Sequence, residues 1–96
     1  MNSVTLVSPQ DRPLKQLVED ALQNELRLLE TGLQRTEDKL RAFETRFGMA
    51  TADFVRRFEA DEFTETLDFG EWIGEHRLRE RLADKIKTMR EIRVAN

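Results

Sequence analysis

An apolar residue recurs at alternating steps of four and three between residues 22 and 47, and this repeat constrains the fold more than any other feature. Seven of its eight positions are apolar, and most residues between them are charged or polar. The eight are Leu22, Leu26, Leu29, Leu33, Thr36, Leu40, Phe43 and Phe47. A stripe with a 3.5-residue period is typical of a helix that packs along its length on another helix. The sequence therefore predicts an all-α, coiled-coil-like protein.

The residues at both ends of this repeat define a first helix of about 35 residues. Asp11 has a side chain suited to the N-cap, and Pro13 suits the first turn, where its missing N–H has no cost. Gly48 follows Phe47 at the position where glycine often ends a helix in the left-handed conformation. Met49 is then expected to contact the last turn.

The first 12 residues have a different composition from the helix that follows. Val4, Thr5 and Val7 are β-branched and favour a short edge strand, which Pro9 would end. An isolated strand is not stable, so residues 1–12 are predicted to be either a flexible leader or an arm that pairs with a second copy or another protein. Residues 13–96 are predicted to form a single helical-hairpin domain.

Two further helices are predicted, a short one over about residues 52–59 and a long one from Asp68 to about Val94. The short connection turns back, so the two long helices are predicted to run antiparallel. The early apolar face of the third helix should pack on the short helix, and its later face on the first helix. Phe63 and Leu67 are expected to extend the apolar contacts. The predicted turn core contains Phe47, Gly48, Met49, Phe54, Phe58, Phe69 and Trp72.

Three glycines lie within predicted helices. Gly32 disfavours the helix by about 1 kcal/mol relative to alanine, so it predicts either a close backbone approach or a slight bend. Gly70 and Gly74 are predicted to permit a close helix crossing near Trp72.

The first third of the first helix is apolar over a wide arc, which includes Leu14, Leu17, Ala21 and Leu28. A lone hairpin leaves this arc exposed, so the chain is predicted to dimerise into a helix bundle, or to join a hetero-assembly that covers the same surface. The predicted interaction residues are Leu14, Leu17, Leu22, Leu26, Leu29, Leu33, Leu40, Phe43, Leu78, Leu82, Ile86 and Met89.

The sequence contains no enzyme motif. It has no Cys, no Tyr and one His, and its two serines lie in the leader. His76 lacks the Glu three residues earlier that a di-iron bundle requires, so it is expected to bond Glu80 or to lie over Trp72. No catalytic, cofactor or metal site is predicted. No apolar run approaches the roughly 20 residues of a membrane span, so no membrane partner is expected. The absence of Cys is compatible with a reducing cytoplasm, and a cytoplasmic location is therefore expected.

Charge is distributed unevenly along the chain. Residues 59–75 contain seven acidic residues and no basic one, whereas residues 76–96 contain seven basic residues and three acidic ones. The acidic stretch is interpreted as either a solvated face or a docking surface for a charged partner. Nucleic-acid binding by the basic segment is not favoured, because the pI is about 5.2 and cations are common near helix C-termini.

The centre of the chain resembles a group of small, mostly uncharacterised bacterial and archaeal helical proteins. The similarity covers about residues 20–90 and depends on Arg46-Phe47-Gly48-Met49, Phe54, Phe58-Glu59, Leu67 and Asp68-Phe69-Gly70-Glu71-Trp72. The resemblance implies an antitoxin-like partner of a small toxin-like protein encoded nearby. The expected function is thus a non-enzymatic protein–protein interaction module. The alternatives are a purely structural homo-oligomerisation module and a weak nucleic-acid binder that uses the basic C-terminal helix.

Overall fold

The computed structural model describes residues 3–5 and 13–95. In chain order the elements are β1 (Ser3–Thr5), α1 (Leu14–Phe47), α2 (Thr51–Glu59), α3 (Leu67–Glu91) and β2 (Arg93–Ala95). Helices α1 and α3 pack antiparallel, and α2 lies in the connection between them. The mostly helical hairpin predicted from the sequence is confirmed, but the structure adds a small parallel sheet that an all-α description omits.

Helix α1 ends after Phe47 as predicted but begins later than predicted, at Leu14, so Pro13 is its N-cap and not a residue of its first turn. Pro13 occupies its N-cap position, and the Pro13 carbonyl accepts from the Leu17 N–H at 3.1 Å. The predicted N-cap, Asp11, lies outside the described residues. At the other end Gly48 has a φ of 67° and donates its N–H to the Glu44 carbonyl at 2.9 Å. Met49 packs on the core next to this turn, as a residue after a left-handed helix end commonly does.

Helix α3 starts one residue earlier than predicted and ends three residues earlier. Thr66 is the N-cap, and its hydroxyl accepts from the Phe69 N–H at 3.1 Å. Asp68 instead lies in the first turn, where a carboxylate is favourable. The prediction that α3 continues to Val94 is wrong, because the chain becomes extended at Ile92 and the next residues pair as a strand.

The two strands join the ends of the chain. β1 pairs parallel with β2 in the register Ser3–Arg93, Val4–Val94 and Thr5–Ala95. The pairing partner of residues 3–5 is thus the carboxyl-terminal segment of the same chain, which the sequence analysis did not consider. The predicted strand residues that follow Thr5 lie outside the described residues.

The buried core lies at the turn end of the hairpin. Leu40, Phe54, Trp72 and Ile73 form its centre. The molecule measures 61 × 21 × 18 Å and has a radius of gyration of 19.0 Å. A compact domain of this length would have a radius of gyration of about 12.5 Å. The chain is therefore a rod with one well-packed end.

Two of the glycine predictions are corrected by the structure. Apart from adjacent residues and the backbone of α3 itself, no heavy atom lies within 4 Å of a Cβ placed on Gly70 or Gly74, so neither residue permits a close helix crossing. A Cβ placed on Gly32 would meet the Leu82 Cδ1 atom at 3.7 Å, which is an ordinary contact distance. At Gly32 it is therefore a side chain of α3 that comes close.

Candidate interaction surfaces

The predicted interaction residues occupy several environments. Leu40 and Ile86 are buried between the long helices, and the seam residue Thr36 is buried with them. Leu17 is exposed and Leu14 is half-buried. The rest are half-buried along the α1–α3 contact, namely Leu22, Leu26, Leu29, Leu33, Phe43, Leu78, Leu82 and Met89.

Ion pairs follow the edges of the α1–α3 contact. Arg90 Nη2 lies 3.1 Å from Glu30 Oε2, and Arg46 Nη2 lies 3.0 Å from Asp68 Oδ2. These pairs are largely exposed, so each contributes at most about 1 kcal/mol to stability. They determine which residues of the two helices lie opposite each other more than they strengthen the contact.

One further pair is less exposed. Lys39 Nζ lies 3.5 Å from Glu75 Oε1, and the Glu75 side chain is 14% exposed. The second carboxylate oxygen of Glu75 is buried without a hydrogen-bond partner. Burial of an unpaired acceptor opposes stability, so this pair is not a strong support of the hairpin.

Trp72 is the centre of an aromatic cluster at the turn. Its ring stacks on Phe54 with centroids 3.9 Å apart and planes 1° apart, and Phe43 stacks near it at 5.5 Å. The indole Nε1–H donates to the Thr51 hydroxyl at 3.1 Å inside the core. Phe63 extends the cluster by stacking at 5.8 Å on Phe54.

The other predicted turn-core residues surround this cluster. Phe47 lies 5.6 Å from Trp72, Phe58 lies 5.5 Å from Phe54, and Phe69 lies 5.2 Å from Phe47, all between ring centroids. Phe43 is one of the predicted interaction residues of the long helices, and in the structure it also contacts this cluster.

Helix α1 supplies the acceptor for the start of α2. Ala50 is the N-cap of α2 and has no side-chain acceptor, so Glu44 Oε2 accepts from the Thr51 N–H at 2.7 Å instead. A carboxylate at a helix N-terminus is favoured by the free N–H groups and the helix dipole. The Thr51 hydroxyl does not cap α2, because it accepts from the Trp72 indole N–H instead.

The end of the hairpin carries an acidic surface with one apolar side chain, and we name it the acidic tip. Leu67 is 94% exposed, so the expectation that it joins the core is wrong. The Thr66 cap directs the start of α3 so that Phe69, and not Leu67, faces the cluster. Exposed carboxylates of the turn region accompany it, at Glu59, Asp61, Glu62, Glu65 and Glu71. The same region contains Arg46, Arg56 and Arg57, which pair with Asp68, Asp53 and Glu62.

The apolar arc at the start of α1 is also exposed. Leu17 is 59% exposed, Leu28 is 60% exposed, and Ala21 between them is exposed as well. We name Leu14, Leu17, Ala21 and Leu28 the α1 stripe. At 100° per residue it lies about 100° around the helix from the α1–α3 contact, so α3 does not cover it.

Basic side chains lie on α3 beyond the aromatic cluster. Arg77, Arg81 and Lys85 are exposed and four residues apart, so they follow one side of the helix. Arg79 instead lies with Nη2 3.3 Å from His76 Nδ1, and His76 Nε2 lies 2.8 Å from Glu80 Oε1. Of the two arrangements expected for His76, the structure has the contact with Glu80.

Comparison with protein-family models, with curated proteins and with solved structures gives no match for this chain. Among residues 3–5 and 13–95, no group of three or more His, Cys, Asp and Glu side chains is arranged to hold a metal ion. None of the three described helices is apolar enough over a sufficient length to cross a membrane. The fold defines an elongated helical hairpin with a short helix in its turn.

Proposed function

We propose that this protein is a non-enzymatic interaction module that binds a basic protein through the acidic tip. One observation carries the proposal. Leu67 is 94% exposed in the first turn of α3, and exposed carboxylates precede and follow it along the chain at Glu62, Glu65 and Glu71. Burying a leucine side chain against a partner contributes roughly 1.5–3 kcal/mol. A central apolar residue inside a charged rim is the arrangement common to protein interfaces.

The position of Leu67 in a well-packed region supports this proposal. The residue follows the Thr66 cap directly, and Phe69 packs on the aromatic cluster two residues later. Asp61 takes a φ of 61°, and the Glu62 N–H donates to the Arg57 carbonyl at 3.0 Å, so the connection is tightly turned. A surface held in place before binding loses little entropy when it binds.

The charge of the tip indicates the chemistry of its partner. Glu59, Asp61, Glu65 and Glu71 form no ion pair within the described part of the chain. A surface with this charge attracts a basic groove and raises the association rate at low salt. We therefore propose a partner with a basic surface and an apolar pocket. The resemblance noted above favours a small toxin-like protein encoded beside this one.

Co-expression with the product of the adjacent gene, followed by affinity capture, tests this proposal. We expect a stable complex that weakens by at least about tenfold with Leu67→Ala, since the lost burial is worth more than 1.4 kcal/mol. Val4→Ala is the matched control, because Val4 is exposed on the same molecule but lies outside both the tip and the α1 stripe. If the wild-type chain captures nothing, the proposal is wrong and a purely structural role is favoured.

A second candidate function depends on Arg77, Arg81 and Lys85. Three exposed cations in one line on α3 are suited to phosphate contacts. Retention of duplex DNA or RNA by the pure protein on a filter at low salt would support this function. Loss of that retention in the triple Ala variant would assign it to these residues, and no retention by the wild type would exclude it.

A further inference from the structure

The α1 stripe has the spacing of a second coiled-coil contact. Leu14, Ala21 and Leu28 are seven residues apart, and Leu17, Asn24 and Thr31 form a second column with the same interval. The two columns alternate by three and four residues, which is the a and d pattern of a coiled-coil seam. All six residues are exposed except Leu14, which is half-buried.

This pattern is complementary to itself when a second copy runs in the opposite direction. If Leu17 lies opposite Leu28 of the second copy, Ala21 lies opposite Asn24 of that copy, and Leu14 lies opposite Thr31. Each pair occurs twice, because a two-fold axis passes between residues 22 and 23. Exposed leucines on each copy are then covered by leucines, as a closed two-fold interface requires.

Charges next to the stripe favour this antiparallel arrangement. Asp20 and Arg27 precede Ala21 and Leu28, so they flank the stripe on the same side. In the antiparallel arrangement Asp20 lies beside Arg27 of the second copy, and the reciprocal pair forms as well. Both side chains are exposed, and neither has an ion-pair partner among the residues that the structure describes.

A parallel arrangement lacks these advantages. It would place Asp20 of one copy beside Glu25 of the other, because the flanking positions of parallel coiled coils contact five residues apart. It would also place Asn24 against Asn24. The like charges oppose the parallel pairing and the opposite charges support the antiparallel one.

The contacts that Asp20 and Arg27 make within α1 do not prevent these residues from pairing with a second copy. Gln16 donates to Asp20 at 2.8 Å, and Arg27 donates to the amide oxygen of Asn24. Both contacts are exposed and within one helix, where they contribute only a few tenths of a kcal/mol. The Asp20–Arg27 pair between two copies joins two charged groups, so it is a stronger interaction than either contact within the helix.

We propose that a second copy of this chain covers the α1 stripe, with the two α1 helices antiparallel over residues 14–31. This contact is about 27 Å long at 1.5 Å per residue. Residues 32–47 of each α1 extend beyond this contact, in opposite directions in the two copies. The two acidic tips therefore lie at opposite ends of the dimer, and the two Phe47 residues are about 75 Å apart. The stripe and the tip share no residue, so the dimer does not depend on the proposed function.

Sedimentation of the full chain over a range of concentrations measures the dimer dissociation constant, and charge-reversal variants at positions 20 and 27 test the proposed pairs. Asp20→Arg and Arg27→Asp should each raise the dimer dissociation constant by roughly tenfold, since two opposite pairs become two like pairs. The variant with both substitutions should regain the wild-type constant. A contact within one helix cannot explain this rescue, because residues 20 and 27 are seven apart and do not touch on the same helix.

Mixing the two single variants provides a second comparison in the same experiment. One variant has Arg at both positions and the other has Asp at both, so an equimolar mixture should form a heterodimer more stable than either homodimer. A wild-type chain that remains monomeric up to millimolar concentration would overturn the proposal. A double variant as weak as the single ones would overturn it as well.

Cysteine cross-linking fixes the orientation, and the chain has no native Cys to interfere. A mixture of Ala21→Cys and Asn24→Cys chains should form the mixed disulfide faster than either chain forms a disulfide with itself. A parallel dimer would reverse this result, because Ala21 would lie opposite Ala21. Leu67→Glu is the control that separates the two proposals, since it should abolish partner binding at the tip and leave the dimer intact.

Discussion

The hydrogen bond between Thr51 and Trp72 shows how much one residue contributes at the turn of this hairpin. Both side chains are buried, and the indole N–H donates to the threonine hydroxyl at 3.1 Å. The same indole ring stacks on Phe54 at 3.9 Å, so its orientation is fixed by a polar and an apolar contact together. A buried indole requires such a partner, because an unpaired N–H in the core is costly.

Replacing the acceptor tests this account. Thr51→Val preserves the shape of the side chain but leaves the Trp72 N–H unpaired, so we expect the free energy of unfolding to fall by about 1–3 kcal/mol. Urea denaturation followed by the fluorescence of the single Trp and by circular dichroism measures the change. Thr45→Val is the matched control, because Thr45 is exposed on α1. An equal, small effect of the two substitutions would contradict the role of this hydrogen bond.

At the scale of the elements, glycines determine where helices end and where they are weakened. Gly48 ends α1 because its φ of 67° is a conformation that other residues adopt at a cost. Gly74 lies in the interior of α3 with no neighbouring atom that a Cβ would meet. The same residue type is therefore required at one position and dispensable at the other.

Alanine substitutions should accordingly have opposite effects at these two positions. Gly74→Ala is expected to raise the free energy of unfolding by about 0.5–1 kcal/mol, because glycine disfavours a helix interior. Gly48→Ala is expected to lower it by about 1–2 kcal/mol, because alanine is strained at a positive φ. Thermal unfolding followed by circular dichroism compares the two. A destabilising Gly74→Ala would show that α3 has a neighbour at this position.

At the scale of the whole molecule, stability is concentrated at one end. The buried residues other than Thr36 and Ile86 lie in the turn region, whereas the start of α1 and the short strands are half-buried or exposed. The two three-residue strands have few ladder bonds, and a small isolated sheet is marginal in water. The rod should therefore open from the end that carries the two strands.

Hydrogen exchange can detect this gradient. We expect backbone amides of residues 40–58 and 69–76 to exchange slowest, and those of residues 14–24 and of β2 to exchange orders of magnitude faster. Mass spectrometry of peptides after timed labelling in dilute protein measures the difference. Raising the concentration should protect residues 14–31 selectively if the second copy binds there. Uniform protection along α1 in dilute solution would contradict an unevenly stabilised rod.

The sequence by itself determined the hairpin, because its signals are local. The apolar period of residues 22–47, the left-handed stop at Gly48 and the spacing of Phe54 and Phe58 each depend on residues within one helix or one turn. Only the tertiary structure decided that Thr51 serves Trp72, that Leu67 faces solvent and that Arg93–Ala95 is a strand. The Thr51–Trp72 contact joins residues 21 positions apart, and the strand pairing joins residues 90 positions apart. Leu67 faces solvent because Phe69 packs on Phe47, 22 positions away. How the helices pack determines such contacts, and no short sequence pattern records them.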